Sequence, residues 1–431
     1  MKAHMKLLSV VAAASIAVAA CGSSATPSPE ATATPAATPT TAAATPTEAP
    51  SVAASATAAA GLSVTSFTSD FSAMSQLTSI TAAGSGLVGV VMPDTVSSTR
   101  WVSFDLPYLT TAFTKAGYKS TDFKIDNAQG VDATQLSMAQ ADITNGAKVL
   151  LVAPLDGTVG NQIQAYAASH GVTMISYDRA TFQGTNTYYV SFNNVNVGKL
   201  IGQGFLDCVK AWNVSSPKVF TLDGGQDTDP NAIDFAKGYN SVVWGQSVAQ
   251  VKPGQTNSQG MTLVNEILTP GWTNSTGGTI FSQQFTAHPE INATIEANDG
   301  LGNAVIGDLK GKGVPAKKIP TTGQDATLQG MENVLQGFQC GSVYKPIYLE
   351  AQDAVAVATY VRAGQTPPAS LMNGTTTDPK NASVTEPASL LTPLWVTGAN
   401  MEATVIKDQF VKASDLCAAV GAATCTAAGI Q

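Results

Sequence analysis

From Gly86 onward the sequence repeats one alternation, a short uninterrupted apolar run followed by a longer stretch with apolar residues at helical spacing. Residues 87–92 read as a buried strand, and 102–116 carry helical spacing that stops at Gly117. Asp132 is placed to cap a helix reaching Asn145, with Gly146 just beyond it. Residues 148–153 form the next strand pattern, 159–169 the next helix and 172–177 another strand. The pattern restarts after Asn194, with a helix over 197–212 and strands at 219–222, 293–297 and 319–322. Strands without polar alternation are covered on both faces, which implies a parallel sheet with helical crossovers. The expected fold class is therefore α/β, with two doubly wound parallel-sheet lobes. A chain of 431 residues, 44% apolar, is long enough for two or three such cores.

The first 20 residues read as an export leader, with Lys2 and Lys6 ahead of a short apolar run over 7–20. Val18-Ala19-Ala20-Cys21 resembles a bacterial lipoprotein cleavage site, which makes Cys21 the expected lipidated N-terminus and the membrane an expected partner. Residues 21–60, rich in Thr, Ala and Pro, have too little apolar bulk to repay ordering and read as a disordered tether. Residues 61–85 form a pre-domain segment, read either as further linker or as an extra helix over 67–81. Four cysteines remain: Cys417 and Cys425, close enough to clip the C-terminal end, and Cys208 and Cys340, which then pair across a long loop.

Several function classes are excluded early. The formal net charge is −8 and no Lys/Arg run exists, which argues against a nucleic-acid partner. Only three His are present, at 4, 170 and 288, so His-centred metal sites and triads have little support. No metal and no cofactor is expected. The segment Asp227-Thr228-Asp229-Pro230-Asn231 hints at a calcium loop, but Ala232 stands where Gly is needed and Gly238 where Glu is needed.

Ligands of open α/β sheets bind beyond the carboxyl ends of the strands. There the sequence places Asp94 to Trp101, Leu155-Asp156-Gly157, Asp178-Arg179, Gly224 to Asn231 and Asn298-Asp299-Gly300. These are Asp, Asn, Arg and Trp rather than nucleophiles. Carboxylates, amides and guanidinium groups satisfy paired hydroxyls, and aromatic rings stack on apolar sugar faces. The set suits a polyhydroxylated neutral ligand.

These segments carry a resemblance. Ser98-Thr99-Arg100-Trp101, Ser176-Tyr177-Asp178-Arg179, Tyr189 to Asn194 with Val197-Gly198, and Gly224-Gly225 leading to Asp229-Pro230-Asn231-Ala232 all take part. So do Asn298-Asp299-Gly300, Gly323-Gln324-Asp325-Ala326, Val343-Tyr344-Lys345-Pro346 and Leu390-Leu391-Thr392-Pro393. In this order, over about residues 86–416, the chain resembles the periplasmic sugar-binding proteins of ABC importers, the xylose-binding and multiple-sugar-binding type.

The resemblance implies a type I periplasmic-binding-protein fold, two lobes joined by a three-segment hinge near 193–194, 342–345 and 387–391. The N-terminal lobe is then 86–193 plus 345–387 and the C-terminal lobe 194–344 plus 388–431, with Cys208 and Cys340 both in the second. It implies Trp101 and Trp272 as stacking walls and Arg100, Asp178, Arg179, Asn194, Asn231, Asp299 and Lys345 as polar contacts to sugar. Gln324 and Asp325 are expected to brace the site rather than touch ligand. Asn193 and Pro230 depart from the Asp and Asn common in the family, a change expected to bear on which epimer is preferred. Residues 375–385 read as a surface loop far from the site.

The expected function is capture of a monosaccharide, D-xylose first and other aldopyranoses next, by a monomeric lipid-anchored protein that docks on the permease and ATPase subunits of an importer. Presentation of sugar to a sensor is the alternative. An enzyme is disfavoured: Asp178 and Asp299 as a glycosidase pair need one protonated carboxyl, whereas Arg179 beside Asp178 keeps it ionised. A repressor lacks support, because a leader and tether stand where a DNA-binding helix-turn-helix is needed.

Overall fold

The computed structural model describes residues 62–431 except 96, 99, 184–186 and 228. The leader, Cys21 and the tether lie outside the described residues. The described chain begins with two 3-10 turns, Val64–Ser66 and Ser72–Leu77, followed by α1 (Thr78–Ala83). Leu62, Phe67, Phe71, Met74, Leu77 and Ile80 are buried in the same core as the first strand. The pre-domain segment is thus part of the first lobe, and its helix is shorter than a 67–81 reading.

The first lobe then runs β1 (Leu87–Met92), a π-turn at Trp101–Asp105, α2 (Leu106–Lys115), β2 (Phe123–Asn127) and α3 (Asp132–Thr144). It continues with β3 (Ala147–Val152), α4 (Gly157–Ser169), β4 (Thr173–Tyr177) and β5 (Thr187–Phe192). Asp132 is the first residue inside α3; Val131, with no side-chain cap, occupies the N-cap position.

The second lobe carries α5 (Asn194–Ala211), β6 (Lys218–Asp223), α6 (Pro230–Val243), β7 (Thr262–Leu268), a 3-10 turn at Pro270–Trp272 and α7 (Asn274–Ala287). Next come β8 (Ala293–Glu296), α8 (Asp299–Gly311), α9 (Leu328–Leu335) and β9 (Ser342–Tyr344). The chain returns through α10 (Ile347–Arg362), β10 (Gly374–Thr377) and β11 (Thr385–Leu391), then crosses to β12 (Leu394–Val396), α11 (Ala413–Val420) and α12 (Ala422–Ala427).

The first sheet has the order β10-β11-β5-β4-β3-β1-β2, parallel except for β10. The second is β7-β6-β8, parallel, with β12-β9 as a separate antiparallel pair. Residues 319–322 do not form the expected strand. Thr294 donates to the Pro320 carbonyl, but Glu296 N–H goes to Thr322 Oγ1 and Thr322 N–H to Glu296 Oε2. Side chains replace the ladder bonds at this edge.

The third crossing also falls later than expected. Ala388 to Leu391 pair in register with Tyr189 to Phe192, so these residues belong to the first sheet and not to the second lobe. Residues 375–377 are strand β10 rather than loop, in a hairpin beside the hinge. After β12 the chain packs against α9 and β9, while Phe410 stacks on Phe104 of the first lobe with ring centroids 4.0 Å apart. Cys208 pairs with Cys340 and Cys417 with Cys425. Among the described residues no helix is long and apolar enough to cross a membrane.

Candidate ligand-binding site

The carboxyl ends of β1, β3 and β4 converge on one guanidinium. Arg179 donates to the carbonyls of Pro154 and Leu155, beyond β3, and to Ser97 Oγ, beyond β1. Its predecessor Asp178 turns out of β4 in a left-handed conformation (φ 61°), which Asp tolerates better than most side chains. The carbonyl this turn exposes accepts from Tyr189 Oη and from Asn231 Nδ2, each at 2.6 Å. Asn231 belongs to α6 of the second lobe, so this bond spans the cleft. Arg179 Nε also lies 3.7 Å from Asp229 Oδ2 on the opposite side. The two lobes are closed on one another.

Between them is a tight cavity of about 40 Å³. The first lobe lines it with Ser97, Ser98, Arg100, Trp101, Asp178 and Arg179. The second lobe and the hinge add Asp229, Asn231, Phe235, Trp272, Asn298, Gln324, Asp325 and Lys345. Trp101 lies under both guanidinium groups, 4.6 Å from Arg100 Cζ and 5.4 Å from Arg179 Cζ, and its indole N–H donates to Ser97 Oγ. Trp272 donates to Asp229 Oδ2 and meets Phe235 edge-on at 6.2 Å. Gly224 lets that indole approach, because a Cβ there would sit 2.1 Å from the ring.

The charges are balanced locally. Arg100 donates twice to Asp105, at 2.9 and 2.8 Å, and once each to Asp178 Oδ2 and Glu350 Oε2, at 3.0 and 2.7 Å. Lys345 Nζ lies 3.8 Å from both Asp178 Oδ1 and Asp325 Oδ1. Burial alone would raise the Asp178 carboxyl, but Arg100, Lys345 and Arg179 together hold it below the ordinary range. Burial lifts Asp229 and Asp325 above that range against the pull of Arg179 and Lys345 respectively. Glu350 is pushed up to about 8 by burial, despite Arg100, so it carries a proton at neutral pH. That proton relieves the crowding of three carboxylates around one guanidinium.

Seven of the nine residues expected to contact ligand line this cavity: Arg100, Trp101, Asp178, Arg179, Asn231, Trp272 and Lys345. Two do not. Asp299 is fully buried and points into its own lobe, accepting from Ser342 Oγ, Gln339 Nε2 and Thr327; its neighbour Asn298 lines the cavity instead. Asn194 donates to Tyr189 Oη and lines a separate groove of about 480 Å³ with Lys199, Lys237 and the hairpin residues Thr375 to Asp378. Asn193 caps α5 and Pro230 opens α6, and neither lines the cavity.

Gln324 and Asp325, expected only to brace the site, do line it, and Gln324 Oε1 is buried with no hydrogen-bond partner among the described residues. Phe235 was legible as the residue one helical turn after Asn231 on α6. Ser97 carried no signal of its own. Among the described residues no group of three or more His, Cys, Asp or Glu side chains is placed to hold a metal ion.

Residues 88–366 match the family model described as a periplasmic binding protein domain. The D-xylose-binding periplasmic protein of Escherichia coli (strain K12) is 31% identical over 293 residues, covering 68% of this chain and 82% of its own. The multiple sugar-binding periplasmic receptor ChvE of Rhizobium radiobacter is also 31% identical, covering 78% of this chain and 93% of its own. A crystal structure of a carbohydrate transporter solute binding protein from Chloroflexus aurantiacus, in complex with D-glucose, superposes with a TM-score of 0.63 at 25% identity. That match covers 76% of this chain and 97% of the other. With its two α/β lobes and the cleft between them, the chain belongs to the periplasmic binding protein family and has the type I fold.

Proposed function

We propose that the chain captures a neutral monosaccharide outside the cytoplasm and delivers it to an ABC importer, with Cys21 lipidated and the tether holding a monomeric head near the permease. D-xylose is the first choice of cargo, and other aldopyranoses follow. One observation carries this reading: side chains of both lobes meet around a cavity walled by two tryptophans and ringed with carboxylate, amide, ammonium and guanidinium groups. Such groups satisfy paired hydroxyls, and the rings take the apolar sugar faces. The names of the xylose-binding and multiple sugar-binding relatives support the same ligand class. Because the ligand is gripped from both sides, its affinity is greater for the closed form, which is what a permease needs to distinguish loaded from empty protein.

The arrangement offers binding rather than turnover. Asp178 is held ionised by three cations, and Asp299 points away from the cavity, so these two do not form the acid and nucleophile pair of a glycosidase. Calorimetric and Trp-fluorescence titration of the purified chain with D-xylose, D-glucose, D-galactose and L-arabinose tests the reading. The expected result is micromolar or tighter binding of at least one sugar, lost in Asp178→Ala and Trp101→Ala. Binding of none of the four would overturn the monosaccharide assignment.

A further inference from the structure

A second cavity, of about 350 Å³, opens beside the first and shares Ser97 and Trp272 with it. The inner cavity, at about 40 Å³, is far smaller. A pyranose enters it only as the lobes part, and any group carried on that ring has the larger space as its outlet. The outer cavity also falls in the range of ligand pockets, about 300–1,000 Å³. Its lining again comes from both lobes: Asp94 and Gly130 from the first, Thr273, Asn274 and Ser275 from the second.

The chemistry of the lining narrows the occupant. Hydroxyls, an amide and one carboxylate face an aromatic wall, and no Lys or Arg among the described residues lines the space. Among the described residues no cationic side chain there pairs with a phosphate or a uronate, and Asp94 disfavours both. A neutral polyol suits it, with Trp272 serving the two cavities as one common wall. Asp94 is anchored from within its own loop, accepting from Ser97 N–H and Ser97 Oγ, each at 2.6 Å, and Asn127 Nδ2 donates to its carbonyl. The shared residue Ser97 also accepts from Trp101 and Arg179 of the inner cavity, so the two walls are built on one hydroxyl.

We propose that Asp94, Gly130, Trp272, Thr273, Asn274 and Ser275 form an outer subsite that takes the second unit of a neutral disaccharide whose first unit occupies the inner cavity. This deepens the sugar-capture reading and rests on it. An occupant of the outer subsite touches both lobes and therefore adds to the closed form.

The test is calorimetric titration of the purified chain, first with the four monosaccharides above. It then uses a panel of disaccharides that link the preferred monosaccharide through each of its ring positions in turn. At least one disaccharide is expected to bind at least tenfold more tightly than the monosaccharide. Ser275 is exposed at the start of α7, so Ser275→Trp fills the outer space without disturbing the core. It is expected to weaken the disaccharide at least tenfold and the monosaccharide less than threefold, with an unchanged melting temperature. Thr273→Tyr, also at an exposed position, supplies an independent variant. Monosaccharide binding with no disaccharide as tight overturns the subsite and leaves the capture reading standing. Equal weakening of both ligands by both variants also overturns it. Binding of neither class overturns both proposals.

Discussion

Arg100 directs four hydrogen bonds at three buried carboxyl groups. A guanidinium has five N–H groups, so one is left over among the described residues. Its main work is to hold Asp178 ionised and aimed, and Asp178 in turn has Oδ1 turned toward Lys345. Removing one partner of a buried charge cluster leaves the others uncompensated, at about 3–5 kcal/mol. Arg100→Ala is therefore expected to lower unfolding stability by about that amount at pH 7, measured by urea titration, and to abolish sugar binding. A stability loss under about 1 kcal/mol, the size of an exposed pair, would show that the cluster is solvated in solution.

The helices α5 and α6 meet through glycines, and α6 carries Asn231 and Phe235 to the cavity. A Cβ on Gly198 would stand 2.0 Å from the Phe235 carbonyl oxygen and 2.8 Å from the Gly238 Cα. Overpacking of this kind costs about 1–3 kcal/mol. Gly198→Ala is expected to lower the melting temperature and, by shifting α6, to weaken sugar binding in the same protein. Gly307→Ala on α8, with nothing within 4 Å of the added carbon, is the control and is expected to stabilise slightly. Equal melting temperatures for the two variants would mean that the helices have slack. The same scale explains which elements the sequence hides. β2 and β7 are edge strands with partly exposed, polar-interrupted sequences, so they lack the continuous apolar run that marks β1, β3 and β4.

Folding closes both lobes over acids that are ionised in the unfolded chain at neutral pH. Burial pushes Glu296 and Glu350 up to about 8 and Asp299 and Glu386 up to about 7. A raised acid keeps its proton in the native state after the unfolded chain has lost it near the ordinary value, so its contribution is full below that value. It is lost as pH rises through the native one. Stability is thus expected to fall between about pH 5 and pH 8, followed by urea midpoints at four pH values. Asp178, held low, acts in the opposite sense only at more acidic pH. Glu296→Gln keeps an oxygen for Thr322 N–H and removes one titration, so the decline is expected to become shallower. A midpoint that climbs over this range, or a slope the variant leaves untouched, contradicts the assignment.

Local pattern was enough to read the α/β alternation, the strands at the centre of the sheets, the pairing of the four cysteines and the strand ends at which Trp101, Asp178 and Asn231 sit. Each of these rests on periodicity, on turn chemistry or on residues whose neighbours in sequence already bear on the site. Only the tertiary structure separated Asn298 from Asp299, because one residue of rotation at the start of α8 sends one side chain to the cleft and the other into the lobe. It also moved the third crossing past Leu391, since strand partnership is a long-range choice between β11 and β5. And it set the two cavity sizes, which depend on how far residues a hundred positions apart close on one another, a distance that no segment of the chain encodes alone.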